Sequence, residues 1–166
     1  MKKIELNLNI LHYCIYLLHY RLHLLLNKVN PATLIHKLPF QKKRYAELGI
    51  DIREEIDKAF SNQRFGISVT IAGGALIGII FIFIMGTVQL AIRLMNLNID
   101  FTTPYFVAFA LITIIPCYFY VLGSNKYLKY FKKFETWPTA ERRKNIYLSI
   151  GFIILVICIF WGSLMV

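Results

Sequence analysis

Charged residues are absent from three long stretches of this sequence, at residues 66–92, 105–122 and 146–166. The first is 27 residues long, and at ~1.5 Å per residue a helix of that length exceeds the ~30 Å hydrocarbon core of a bilayer. A soluble domain keeps a polar face on so long a helix, so the absence of charge excludes that class. The sequence therefore predicts an integral membrane protein.

Acidic residues are few, nine against nineteen basic ones, and the net charge is +10. The basic residues lie between the apolar stretches, where orientation signals and contacts with lipid headgroups belong. No zinc signature or aromatic-basic RNA motif accompanies them. We therefore predict membrane lipids, including anionic headgroups, as partners, and no nucleic acid.

Cysteines and catalytic motifs are also scarce. Cys14, Cys117 and Cys158 lie far apart, and no C-x-x-C pair is present, which argues against a disulfide or a zinc site. The three apolar stretches contain no acidic, basic or histidine side chain, and the chain has no Gly-x-Ser-x-Gly, His-Glu-x-x-His or paired-aspartate motif. We predict a protein that is not an enzyme and that binds no metal or cofactor.

The predicted fold is all-α, an integral membrane protein with three transmembrane helices, or four if the N-terminal helix also spans. Residues 1–29 form an amphipathic helix that lies in the interface, packs on the protein or spans the bilayer. Residues 30–65 form a basic helical region, and residues 66–166 form the membrane domain, with spans at 66–92, 105–122 and 146–166. Aromatic residues interleave with the basic ones in segment 123–145, so its first half is predicted to lie among headgroups.

The distribution of basic residues predicts the orientation. Residues 28–65 carry eight lysines and arginines and residues 123–145 carry seven, whereas the loop 93–103 carries one. By the positive-inside rule, segments 28–65 and 123–145 are cytoplasmic and the C-terminus is outside, in a bacterial inner membrane.

One face of the N-terminal helix is polar. At 100° per residue, six side chains fall on one narrow stripe, which we call the polar stripe: Glu5, Asn9, His12, Tyr16, His19 and His23. His19 and His23 have the i, i+4 spacing of two metal ligands, but no cysteine or carboxylate nearby completes a set. The stripe could instead line a pore, form a pH-sensitive interface or lie at the level of the headgroups.

Small residues recur in the first span. They are Gly66, Thr70, Gly73, Gly74 and Gly78. Small residues three or four positions apart let helix backbones approach closely in lipid. They predict a helix-packing surface, whose partner is either another helix of the same chain or a second copy.

The segments NKYLKYFKKFE (residues 125–135) and RRKNIYLSIGFIILVICIF (residues 142–160) resemble small orphan multispan inner-membrane proteins of bacteria. Proteins of that kind are often encoded in phage-defence or other mobile islands. The resemblance implies a setting for this protein and no site residues.

Two functions fit these features. The first is a self-assembling membrane effector or channel-like protein, a homo-oligomer that permeabilises or depolarises the membrane. The second is a structural or accessory subunit of a larger membrane complex, with residues 28–65 docking a cytoplasmic protein partner. Transporter, sensor and immunity roles are further alternatives.

Overall fold

The computed structural model describes residues 2–31, 35–36 and 38–165, and these residues form helices and no strands. The all-α prediction is thereby confirmed. The helices are α1 (Lys2–Val29), α2 (Pro39–Leu48), α3 (Ile52–Ser61), α4 (Ile67–Leu94), α5 (Thr103–Cys117), α6 (Lys126–Glu135) and α7 (Thr139–Met165).

Three helical segments of the described chain are long and apolar enough to cross a membrane: Ile67–Leu94, Thr103–Glu135 and Thr139–Met165. They contain the predicted spans 66–92, 105–122 and 146–166 almost completely. Helix α1 is not among them, because its polar stripe lowers its hydropathy. The composition of α1 therefore does not favour the alternative with four spans, although its 28 residues are long enough to cross a bilayer.

The second of these segments is interrupted after Pro116. Proline lacks an N–H, and its ring crowds the carbonyl four residues earlier, so an α-helix is weakened around it. The chain leaves α geometry at a π-helical turn, Tyr118–Leu122, and continues through a 3₁₀ turn, Gly123–Asn125. Ser124 and Asn125 have φ of 55° and 53°, so the backbone changes direction there before α6 begins.

The described residues divide into two compact units, one of residues 2–15 with 73–165 and the other of residues from 16 to 72. In the first unit, residues of α1 form the centre of the core, and Tyr13 and Cys14 are 2% and 1% exposed. Helices α4 and α7 pack closely in the same unit, where the rings of Phe83 and Phe152 are 5.5 Å apart.

Local sequence signals define the helices of the second unit. Gly49 ends α2 with φ of 64°, a left-handed conformation that glycine adopts without a steric penalty. Asp51 then caps α3, since its side chain accepts hydrogen bonds from the N–H groups of Arg53 and Glu54. Only three residues therefore separate the end of α2 from the beginning of α3.

Candidate functional site

The polar stripe begins in the first unit, where Asn9 is fully buried. Its Nδ2 donates to the carbonyl of Tyr120 at 3.0 Å and to that of Glu5 at 2.8 Å. Tyr120 lies in the π-helical turn, where the normal i, i+4 pairing is lost. Another carbonyl of this turn, that of Phe119, accepts from Lys126 Nζ at 2.8 Å. Side chains thus satisfy backbone groups that the helix break has freed.

His12 is also fully buried, and it packs among aromatic rings of α6. Its ring centroid lies 5.3 Å from that of Tyr127 and 5.2 Å from that of Phe131. Next to it, Tyr13 contacts the rings of Phe131 and Phe134. Helix α1 therefore covers these three α6 residues, and the placement of this segment among headgroups stays a prediction.

The other half of the polar stripe lies in the second unit and binds α3. Tyr16 donates its hydroxyl to the carbonyl of Ser61 at 2.8 Å. Ser61 is the last residue of α3, whose carbonyl has no partner within its own helix. The ring of His23 stacks on Phe60 with centroids 3.5 Å apart. Helix α3 therefore docks on α1 within the second unit.

His19 occupies the middle of this contact. Its Nδ1 lies 3.1 Å from the Ser68 hydroxyl oxygen, and its ring is parallel to Phe60 at 6.3 Å. Burial, with a smaller effect of the neighbouring His23, lowers the pKa of His19. The neutral imidazole is therefore the form that this packing favours.

An adjacent hydroxyl strengthens the same contact. Tyr20 donates to Asp57 Oδ1 at 2.8 Å, which joins α1 to the middle of α3. Burial and the hydrogen bond to the Asp57 carboxylate together raise the pKa of Tyr20 above its ordinary value.

Every residue of the polar stripe thus contacts other parts of its own chain. Glu5 completes the set through a hydrogen bond with the Tyr130 side chain. A pore, an interface and the level of the headgroups were considered for the stripe. In the described chain its side chains pack on other protein residues. His19 and His23 both face the Phe60 ring, which accounts for their i, i+4 spacing without a metal.

The predicted small residues of α4 separate into two groups. Gly66 and Gly73 are buried, and an added Cβ on Gly73 would lie 3.4 Å from Leu122 Cδ2 and 3.9 Å from His12 Nε2. At Gly74 and Gly78, an added Cβ would meet no atom of the described residues within 4 Å. Thr70 is exposed, and its hydroxyl donates to the Gly66 carbonyl at 3.0 Å. Part of the surface formed by these small residues contacts other residues of the same chain, and part of it, at Gly74 and Gly78, faces open space.

Two features were not foreseen. The first is that α4 and α7 approach closely at Gly86, where an added Cβ would lie 3.2 Å from Phe160 Cα. Only large residues lie between Gly78 and Gly86, so the sequence did not connect Gly86 with the predicted packing surface. The second is a cleft of ≈ 890 Å³ with basic side chains, formed by α1, α2 and α3. The run Lys42-Lys43-Arg44 indicated a basic surface here but not a concave one.

Comparisons with known protein-family models, with curated proteins and with solved structures find no match for this chain.

Proposed function

We propose that this protein is a self-assembling membrane effector, whose copies associate through α4 and permeabilise or depolarise the membrane. One observation carries the proposal, the open face of α4. Thr70, Gly74 and Gly78 follow one another at i, i+4 along this face. Because a Cβ added to Gly74 or Gly78 would meet no other part of the described chain within 4 Å, a helix of another copy can come close there.

The small amount of burial in the three apolar helices supports the same proposal. The most apolar windows of Ile67–Leu94, Thr103–Glu135 and Thr139–Met165 are 28%, 22% and 17% buried within the chain. Their remaining apolar surface must be covered by lipid or by other helices. A surface of small residues favours coverage by another helix over coverage by lipid, because close van der Waals packing drives helix association in a bilayer.

In this proposal the pore does not run along the polar stripe, because those side chains pack within their own chain. The water path forms between copies after association. The proposed setting is a bacterial inner membrane, with segments 28–65 and 123–145 in the cytoplasm, and the resemblance noted above favours a role in phage defence.

The test combines the mass of the protein in native-lipid nanodiscs with ion efflux from proteoliposomes. We expect wild type to form one closed oligomer and to release ions. The double variant Gly74→Leu/Gly78→Leu fills the open face, so we expect monomers and the loss of efflux. Gly151→Leu is the matched control, since an added Cβ there also meets no described atom within 4 Å, and it keeps both properties.

A monomeric wild type would overturn the proposal. So would a double variant that stays monomeric yet releases ions at the wild-type rate, because assembly would then be unnecessary for permeation.

A second function, that of an accessory subunit, is favoured by the surface of α2. This helix buries none of its residues, and Phe40 and Leu48 are 66% and 59% exposed. Exposed large apolar side chains on a basic helix suit a protein partner. Affinity purification from the cells that make the protein tests this role. A stoichiometric partner lost in Phe40→Ser/Leu48→Ser supports it, and its absence from the wild-type purification argues against it.

A further inference from the structure

The basic cleft of the second unit has the features of a ligand site. It is formed by the end of α1, the inner face of α2 and the first turns of α3, and its volume of ≈ 890 Å³ is in the range of small-molecule sites. The left-handed Gly49 ends α2 and turns the chain, and Ile50 N–H bonds to the Tyr45 carbonyl at 3.0 Å. This turn fixes the wall of the cleft.

Three cations line the cleft, and each comes from a different helix. They are Lys28 of α1, Lys42 of α2 and Arg53 of α3. Asp51 is the one carboxylate in the lining, so three positive charges less one negative charge leave a formal +2. The Asp51 carboxylate accepts from the N–H of Arg53 at 2.9 Å and is committed to capping α3. An anionic ligand matches this lining.

The acidic residues of α3 do not cancel this charge. Glu54 and Glu55 lie 2.8 and 3.1 Å from Lys58, with which they form ion pairs on the exposed side of the helix. None of these three residues lines the cleft. The positive charge of Lys28, Lys42 and Arg53 is therefore available to a ligand.

The same cleft has an apolar wall. Leu24, Ile50, Ile52 and Ile56 line it, and Leu24 and Ile50 are 41% and 42% exposed. Tyr45 adds a ring, with its hydroxyl 2.8 Å from His36 Nδ1. A simple inorganic anion would leave this wall in water. A ligand with a charged group and an apolar body would cover it.

We propose that the basic cleft binds a phosphate group carried on an apolar body, the chemistry of an anionic phospholipid. Lys28, Lys42 and Arg53 surround the phosphate, and Arg53 offers the planar pair of N–H donors that suits phosphate oxygens. The apolar wall covers the first carbons of the body. The proposal does not depend on whether the protein permeabilises membranes.

The test measures thermal unfolding of the whole protein in a neutral detergent with three added probes. They are dioctanoyl phosphatidylglycerol, dioctanoyl phosphatidylcholine and glycerol 1-phosphate. We expect phosphatidylglycerol to raise the unfolding temperature in a saturable way, because it binds the folded state. Phosphatidylcholine has the same chains without net charge, glycerol 1-phosphate has the charge without chains, and neither should match it.

Lys42→Gln/Arg53→Gln should weaken the phosphatidylglycerol response by about tenfold or more in apparent Kd, since two charged donors are removed. Lys43→Gln/Arg44→Gln is the matched control, because it removes the same charge from residues that do not line the cleft. Lys28→Gln provides a second test from α1 that leaves α2 and α3 intact.

Equal weakening in the cleft variant and the control would overturn the proposal, since binding would then follow net charge alone. An equal response to phosphatidylcholine would overturn it as well. A full response to glycerol 1-phosphate, lost in the cleft variant, would overturn the apolar half of the proposal and assign the phosphate to a soluble source.

Discussion

The histidines of α1 illustrate how single polar residues are accommodated in this chain. His12 packs against the aromatic rings of Tyr127 and Phe131, whereas the rings of His19 and His23 lie nearly parallel to that of Phe60. Each ring offers both an apolar face and a polar edge: the face of His23 stacks on Phe60, and the edge of His19 places Nδ1 3.1 Å from the Ser68 hydroxyl. The identity of the residues in the polar stripe was therefore predictable, but their environment was not.

His19 should make the stability of the protein depend on pH. Its pKa is lowered from 6.5 by burial and by His23. Below pH 6.5 the unfolded chain binds a proton that the folded chain still excludes. The free energy of unfolding should therefore fall as the pH decreases through this window, until the folded-state pKa is reached.

The measurement is the unfolding temperature in neutral detergent between about pH 7.5 and pH 5, a range that brackets the titration of histidine. His19→Asn keeps a hydrogen-bonding group near Ser68 and should lose this part of the pH dependence. If the variant retains the full wild-type slope, other groups are responsible and the assignment to His19 is wrong.

Residue-level contacts also limit what the sequence could predict about the site. Asn9 was predicted to belong to the polar stripe, but its partner is a carbonyl of the π-helical turn after Pro116. Pro116 predicts a disturbed helix without giving its backbone path. The partner of Asn9 follows from that path, so sequence periodicity alone could not find it.

At the scale of helices, α4 presents two different small surfaces. Gly73 and Gly86 face other helices of the same chain, and Gly74 and Gly78 face away from it. Both groups have the same composition, so the sequence predicted a packing helix without separating its two sides. The ends of the helices depend on more local signals, because Gly49 and Asp51 act directly on the backbone between α2 and α3.

Gly86 should be the glycine of α4 at which substitution most disturbs the contact with α7. Gly86→Leu places a large side chain against the Phe160 backbone, and overpacking of this kind costs about 1–3 kcal/mol. For a chain of this size each kcal/mol corresponds to about 2–4 °C in unfolding temperature.

Gly151→Leu again serves as the control, because the gain in helix propensity is the same and its surroundings are open. The comparison is made in a detergent that disperses oligomers, so that assembly does not contribute. Equal unfolding temperatures for the two variants would show that α4 and α7 can separate at Gly86 without cost.

At the scale of the whole molecule, the arrangement of charge predicts which segments share a side of the membrane. Starting from a Cys158→Ala background, single cysteines replace Lys43, Lys132 or Asn98. A membrane-impermeant maleimide added to intact bacteria should label Asn98→Cys. It should label Lys43→Cys and Lys132→Cys only after permeabilisation, because basic segments remain cytoplasmic.

If the cysteines at Lys43 and Lys132 were labelled without permeabilisation and Asn98→Cys were protected, the orientation would be the opposite of the predicted one. Different accessibility at Lys43 and Lys132 would contradict two crossings between them, and with it the arrangement of three spans.

The burial of α1 has a consequence for biosynthesis. Asn9 binds the carbonyl of a residue 111 positions later in the chain, and Tyr13 packs on Trp137. At ~5–20 residues per second, a ribosome needs roughly 5 to 20 s to make that stretch. During this interval Asn9 and Tyr13 have been synthesised, and Tyr120 and Trp137 have not. The nascent chain must keep the polar and aromatic surface of Asn9 and Tyr13 away from other proteins until Tyr120 and Trp137 have been made, because this surface reaches its final contacts only then.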